Sequence, residues 1–194
     1  MPGFGAGFGG VEGSLKQCNL LFLVDASTSM KEKGKFGASF EIFVEAMEKI
    51  LKIPLQSHSN YRLSVVFFWV DVWNRFKFEF IYQDLPFAEV DFGKLVKFAL
   101  PDRAGTALDR GLKVAVQFLE GKEGDKTIKM VTDNPRDAQR VLEESMFGLF
   151  EKGIRLDCVI IGEKENEKPM LGTGNLGQVF QSVDVDVISK ALIL

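Results

Sequence analysis

Short apolar runs separated by amphipathic stretches constrain how this chain can fold. Residues 19–24 (NLLFLV) form a continuous apolar run that stops at Asp25. That is the pattern of a strand buried on both faces. Residues 63–70 (LSVVFFWV) read as a second buried strand, and residues 127–131 (TIKMV) and 156–161 (LDCVII) as two more. Phe76, Phe78, Phe80 and Tyr82 alternate with Lys77, Glu79 and Ile81, which predicts a strand with one wetter face. Only residues 71–75 separate this strand from the one before it. A gap of that length is a hairpin connection, too short for a parallel crossover, so this strand is expected to be antiparallel and at an edge.

Helical spacing fills the intervals. Phe36, Phe40, Phe43, Met47 and Ile50 recur at steps of three and four, with the helix ending before Pro54. Further helices are expected over 88–98 and over 107–119, the latter with Leu108, Leu112, Ala115, Val116 and Leu119 on one side. Pro135 suits the first turn of a helix whose apolar face is Ala138, Val141, Leu142, Met146, Leu149 and Phe150. A charged, Gly-rich loop over 162–177 leads to a short strand at 178–181 and a last helix from about 185. Strands alternating with helices mean an α/β fold. The expectation is a doubly wound, mostly parallel central sheet with one antiparallel edge strand and helices on both faces.

One domain over 16–194 accounts for these elements, preceded by a Gly/Phe-rich tail over 1–15 that repeats Gly3-Phe4 and Gly7-Phe8. The tail is expected to form no regular element; its phenylalanines could alternatively dock on a neighbouring subunit. It has neither the basic nor the apolar region of a signal peptide. Cys18 and Cys158 sit in or beside predicted strands and suit buried free thiols, which together with the tail points to a cytoplasmic protein. A net charge of −3 does not favour a nucleic-acid surface, and no apolar run reaches the length of a membrane span. His58 is the only histidine, which leaves no material for a histidine metal cage or a catalytic triad.

In an open α/β sheet, ligands bind beyond the carboxyl ends of the strands, where the strand order reverses. Two predicted strands end in aspartate, at Asp25 and at Asp133. Ser27 and Ser29 follow Asp25 at alternate positions, and Thr106 stands just before a predicted helix. Three hydroxyls and two carboxylates are all oxygen donors, the set that a hard cation such as magnesium prefers. Each residue also has a purely local reading: Asp25 as a turn cap, the serines as its hydrogen-bonding neighbours, and Asp133 as a helix N-cap.

At this point the chain resembles the von Willebrand factor type A and integrin I-like domains. DASTS over 25–29 matches their DxSxS motif, Thr106 in AGTALDRGL matches the second motif, and Asp133 in VTDN matches the third. The sequence departs from the pattern with Asn134 where the family often has glycine, and with Ala104 before Gly105. The resemblance implies that Asp25, Ser27, Ser29, Thr106 and Asp133 form a metal-ion-dependent adhesion site holding Mg2+ or Mn2+. It also implies a protein partner presenting Asp or Glu, with intracellular members working beside AAA-type ATPases. Met30, Lys31, Lys33, Arg103, Asn134 and Arg136 are the candidate partner-facing residues around the metal, the basic ones as a rim that steers acidic partners. The loop over 162–177 is long enough to add specificity.

Catalysis is not expected. Ser27 occupies the place where a haloacid dehalogenase-like site would need its second aspartate, no GxxxxGK[ST] loop is present, and neither serine has an evident base. Two function classes remain: a metal-dependent adaptor that grips an acidic residue of a partner, and a scaffold subunit in which the metal only stabilises the fold or is vestigial.

Overall fold

The first strand, β1 (Cys18–Asp25), is buried from Asn19 to its last residue, as a strand flanked on both sides and covered on both faces must be. It belongs to a computed structural model that describes residues 16–34, 37–53, 60–162 and 177–193. A one-turn helix α1 (Thr28–Lys31) follows, then a small hairpin of β2 (Lys33–Gly34) and β3 (Gly37–Ala38), and helix α2 (Ser39–Leu51). β4 (Tyr61–Val70) and β5 (Phe76–Pro86) come next, then a 3-10 turn (Phe87–Glu89), α3 (Phe92–Val96) and α4 (Leu108–Glu120). The chain finishes with β6 (Asp125–Thr132), α5 (Pro135–Glu151), β7 (Ile154–Ile161), β8 (Val179–Ser182) and α6 (Val185–Ile193).

The main sheet has the order β5-β4-β1-β6-β7-β8. Every neighbouring pair is parallel except β4–β5, so the antiparallel edge expected from the short hairpin is present. Alternate residues of β1 divide the core between two layers. Leu20, Phe22 and Val24 pack against Phe43, Met47 and Ile50 of α2 and Ile188 and Leu192 of α6. Leu21 and Leu23 point the other way, toward Leu112 and Ala115 of α4 and Val141 and Leu142 of α5. Phenylalanine fills the first layer: Phe67 and Phe98 stack at 4.1 Å between centroids, and Phe43 meets Phe67 edge-on at 6.4 Å.

The second layer depends on one glycine. A Cβ on Gly111 would lie 2.9 Å from the Phe68 ring, so only glycine lets α4 settle this close to β4. Both cysteines are free thiols, with Cys158 buried.

Two elements differ from the sequence reading. The helix expected over 88–98 is split into the 3-10 turn and α3, because the Asp91 side chain accepts the Gly93 N–H and caps a fresh start. The short strand expected at 178–181 begins one residue later, at Val179. Phe36, Pro54, His58, the tail over 1–15 and nearly all of the loop over 162–177 lie outside the described residues. Among the described residues, no helix is long and apolar enough to cross a membrane.

Candidate metal centre

β1 and β6 are neighbours whose connections leave on opposite faces: α2 lies in the layer with Leu20 and Phe22, and α5 in the layer with Leu21 and Leu23. The divergence opens a crevice at their carboxyl ends, and Asp25 and Asp133 stand there. Asp25 is fully buried. Its Oδ1 accepts the Ser27 N–H at 2.9 Å, which closes the turn after β1, and its Oδ2 accepts the Thr132 hydroxyl at 2.9 Å. Thr132 Oγ1 in turn accepts the Asn134 N–H at 3.1 Å. The ends of β1 and β6 are thereby tied through side chains as well as through the sheet.

The hydroxyls continue the array. Ser27 Oγ and Ser29 Oγ lie 3.1 Å apart, and Ser29 Oγ donates to Asp133 Oδ1 at 3.0 Å. The second-motif loop is fastened on from the side. Thr28 N–H donates to Ala104 O at 2.9 Å, and Ala104 N–H donates to Thr28 Oγ1 at 2.7 Å. Gly105 and Val70 exchange backbone bonds of 2.9 Å in both directions. These contacts bring Thr106 up to Asp25, with its hydroxyl close enough to favour the charged carboxylate slightly. The hydroxyl nevertheless falls outside hydrogen-bonding geometry. Thr106 Oγ1 is the one buried side-chain polar atom among the described residues with no hydrogen-bond partner.

Burial dominates the electrostatics. It pushes the Asp25 carboxyl up to about 6, against the opposing Ser27 N–H and Thr132 hydroxyl hydrogen bonds and the smaller pull of the nearby Ser27 and Thr106 hydroxyls. Burial also raises the Asp133 carboxyl; the Ser29 hydroxyl opposes that shift and the nearby Glu32 charge adds to it. Two carboxyls reluctant to ionise and one orphaned buried hydroxyl therefore meet at a single junction. An oxygen-only donor set with unmet demand for positive charge fits a hard divalent cation.

The expected partner-facing residues fare unevenly. Met30 is fully buried in the core beside α2, because the one-turn helix α1 rotates it inward, so it cannot meet a partner. Lys31 is exposed and ion-paired with Asp102 at 2.6 Å, a contact that holds the Asp102 carboxyl below its usual range. The Lys33 side chain lies outside the described residues. Arg103 and Arg136 are exposed and form no ion pair among the described residues, and Arg103 sits in the left-handed region at φ 53°. Asn134 is committed to capping α5: its side chain accepts the Asp137 N–H at 3.1 Å. Thr28 and Thr132 complete the centre but were not among the sequence candidates. The one available signal was position, Thr28 between Ser27 and Ser29 and Thr132 before Asp133, a placement too common to single out.

No family model matches the chain, and no curated protein sequence matches it. Solved structures do match in shape. The SpRpn10 VWA domain superposes with a TM-score of 0.61 at 12% identity, over 92% of this chain and 94% of that one. The protein BatB from Bacteroides thetaiotaomicron gives 0.61 at 14% identity, over 91% and 97% of the two chains. Proximal thread matrix protein 1 from the mussel byssus, with zinc in its MIDAS motif, gives 0.59 at 16% identity, over 91% of this chain and 46% of that one. Sheet order, layer assignment and these superpositions agree: the chain has the fold of a von Willebrand factor type A domain.

Proposed function

We propose that the chain is a metal-dependent protein-interaction module, a binding domain rather than an enzyme. In this reading Asp25, Ser27, Ser29, Thr106 and Asp133 hold a Mg2+ or Mn2+ ion. A cation held there would supply an electrophilic point for an Asp or Glu carboxylate of a partner protein. The observation that carries the reading is the unpartnered, buried Thr106 hydroxyl beside the buried Asp25 carboxyl, which the serine array links to the half-buried Asp133.

The residues divide the work. Thr132 and the Ser27 N–H hold the Asp25 carboxylate in one orientation, and Ser29 holds Asp133. Thr28 fastens the Thr106 loop to the turn after β1. Exposed Arg103 and Arg136 supply positive charge at the rim, which favours an acidic partner and speeds its approach.

Titration calorimetry with Mg2+ and Mn2+ on the wild type, Asp25→Ala and Asp133→Ala tests the site. Binding should be lost in both variants, and undiminished binding in both sinks the assignment. Capture of partners from a host extract on the immobilised chain tests the role. EDTA should release the partner and added Mg2+ restore it. Loss of a desolvated charge contact of this kind costs about 2–5 kcal/mol, roughly thirty- to several-thousand-fold in affinity. A complex indifferent to both EDTA and Asp133→Ala would favour the scaffold reading, which draws support from the aromatic edge of the sheet.

A further inference from the structure

The free edge of β5 has a self-complementary sequence. Residues 76–80 read Phe-Lys-Phe-Glu-Phe, so the run is unchanged on reversal apart from the exchange of Lys77 for Glu79. Among the described residues nothing pairs with the outer side of β5.

Hydrogen bonding on the inner side settles which backbone groups face outward. The Phe68 carbonyl of β4 is taken by the Ala26 N–H on the β1 side, so its neighbours Phe67 and Trp69 turn toward β5. Their partners in the register are Glu79 and Lys77. The N–H and C=O groups of Phe76, Phe78 and Phe80 therefore point away from the sheet. A register shift at Val65–Val66 leaves Ile81 as an extra residue before Tyr82 and ends the regular run.

The side chains match. Phe76, Phe78 and Phe80 form a ladder with centroids 6.1 and 6.2 Å apart, and Phe80 rests on Phe118 of α4 at 4.9 Å. Phe78, in the middle, is 50% exposed, and Val72 and Trp73 at the hairpin tip are more exposed still. Lys77 and Glu79 stand exposed on the opposite face and form no ion pair among the described residues.

We propose that this edge pairs with the same edge of a second copy, as an antiparallel two-fold dimer centred on Phe78. In that register Phe78 faces its own symmetry mate as a hydrogen-bonded pair, and Phe76 faces Phe80 of the other copy. All the outward N–H and C=O groups of the run are then matched. Lys77 of each protomer faces Glu79 of the other at a non-hydrogen-bonded position, where opposite side chains approach most closely. The three-rung Phe ladder continues across the axis. The assembly closes at two copies, because the other edge of the sheet is the four-residue β8, which lacks the repeat. The inference goes beyond the metal-dependent reading and does not rest on it.

Sedimentation velocity of the full chain in EDTA, over a wide concentration range, tests the dimer separately from the metal. The wild type should show a reversible monomer–dimer equilibrium. Lys77→Glu or Glu79→Lys alone sets like charges opposite each other at two symmetric places and should weaken association roughly tenfold or more. The double swap Lys77→Glu/Glu79→Lys restores opposite charges and should restore the dimer, with melting temperatures confirming that every variant folds. A wild type monomeric at all concentrations overturns the proposal and leaves the edge to a strand of some other protein. A dimer that ignores the single reversals, or one the double swap fails to recover, overturns it as well.

Discussion

The Thr132 hydroxyl donates to Asp25 Oδ2 across 2.9 Å, joining the last residue of β6 to the last residue of β1 beneath the candidate metal centre. With the Ser27 N–H on Oδ1, it gives a fully buried carboxyl two fixed donors. Burial outweighs both and raises the group from 3.8 to about 6.

That imbalance sets a pH dependence. A carboxyl whose folded pKa lies above its unfolded one binds more protons when folded, so its contribution to stability is fully present below 3.8 and lost as pH rises through about 6. Asp25→Asn removes the charge and keeps the shape. In EDTA the variant's advantage over the wild type should be absent near the unfolded pKa and full above the folded one, reaching at most about 3 kcal/mol. Urea melts of both proteins across this range check it, and the same variant should no longer bind Mg2+. A wild type more stable than Asp25→Asn at neutral pH without metal would contradict the electrostatic account.

Thr106 offers a second separation of stability from binding. Its buried hydroxyl has no partner, so Thr106→Val deletes an unmet group with little change of shape. Relief of that kind is worth on the order of 1 kcal/mol, so the variant should melt no lower than the wild type in EDTA. Its affinity for Mg2+ should fall, and Thr106→Ser should retain most of it. Thermal melts with and without Mg2+ give both quantities from one experiment.

The strands were readable because runs such as NLLFLV are too short for a buried helix and stop at turn-forming residues, so length settles what periodicity leaves open. Asp25, Ser27, Ser29 and Asp133 were readable as candidates because several oxygen-donor motifs fall together at the ends of predicted elements, where each residue alone would pass as a turn or helix cap. The structure joins these four in one hydrogen-bonded array. Met30 was misplaced because a single helical turn has no periodicity from which its inward rotation could be judged. Thr28 and Thr132 act through partners far away in the chain, Ala104 and Asp25, and such contacts exist only once the sheet order is known. Lys129 and Asp157 each look like a lapse in an apolar run; only the β6–β7 register, which sets one against the other, reveals a pair.

Gly111 sets two effects against each other. Alanine is the better helix former by about 1 kcal/mol, which favours Gly111→Ala in α4. The new Cβ, however, would lie 2.9–3.1 Å from three atoms of the Phe68 ring, whose side chain is itself fully buried and has no room to retreat. Overpacking of this kind costs about 1–3 kcal/mol, so the net change should be destabilising by roughly 1 kcal/mol. Since α4 follows the Thr106 loop directly, Mg2+ affinity should fall alongside the melting temperature. A variant that melts higher would show that α4 can shift outward without strain.

Lys129 is a buried charge on β6, and its Nζ donates to Asp157 Oδ2 at 2.7 Å and to Ala191 O of α6 at 2.9 Å. Asp157 Oδ1 meanwhile accepts Arg155 Nε at 2.9 Å and the Gln178 N–H at 2.8 Å, so one carboxylate ties β6, β7, the approach to β8 and α6 together. Burial lowers the Lys129 pKa despite the adjacent Asp157 charge, which marks the pair as costly to desolvate. Lys129→Met alone leaves Asp157 Oδ2 and the Ala191 carbonyl without their donor, with half-exposed Arg155 as the remaining counter-charge, and should destabilise the protein by about 3 kcal/mol. Asp157→Leu alone strands a buried ammonium and should cost at least as much. The double variant removes both charges together and should lose clearly less than the sum of the two single losses. Urea denaturation of the four proteins closes the cycle. Simple additivity would mean that the two groups do not act as a pair, whereas a large coupling would identify this ion pair as the clasp that holds the last helix on the sheet.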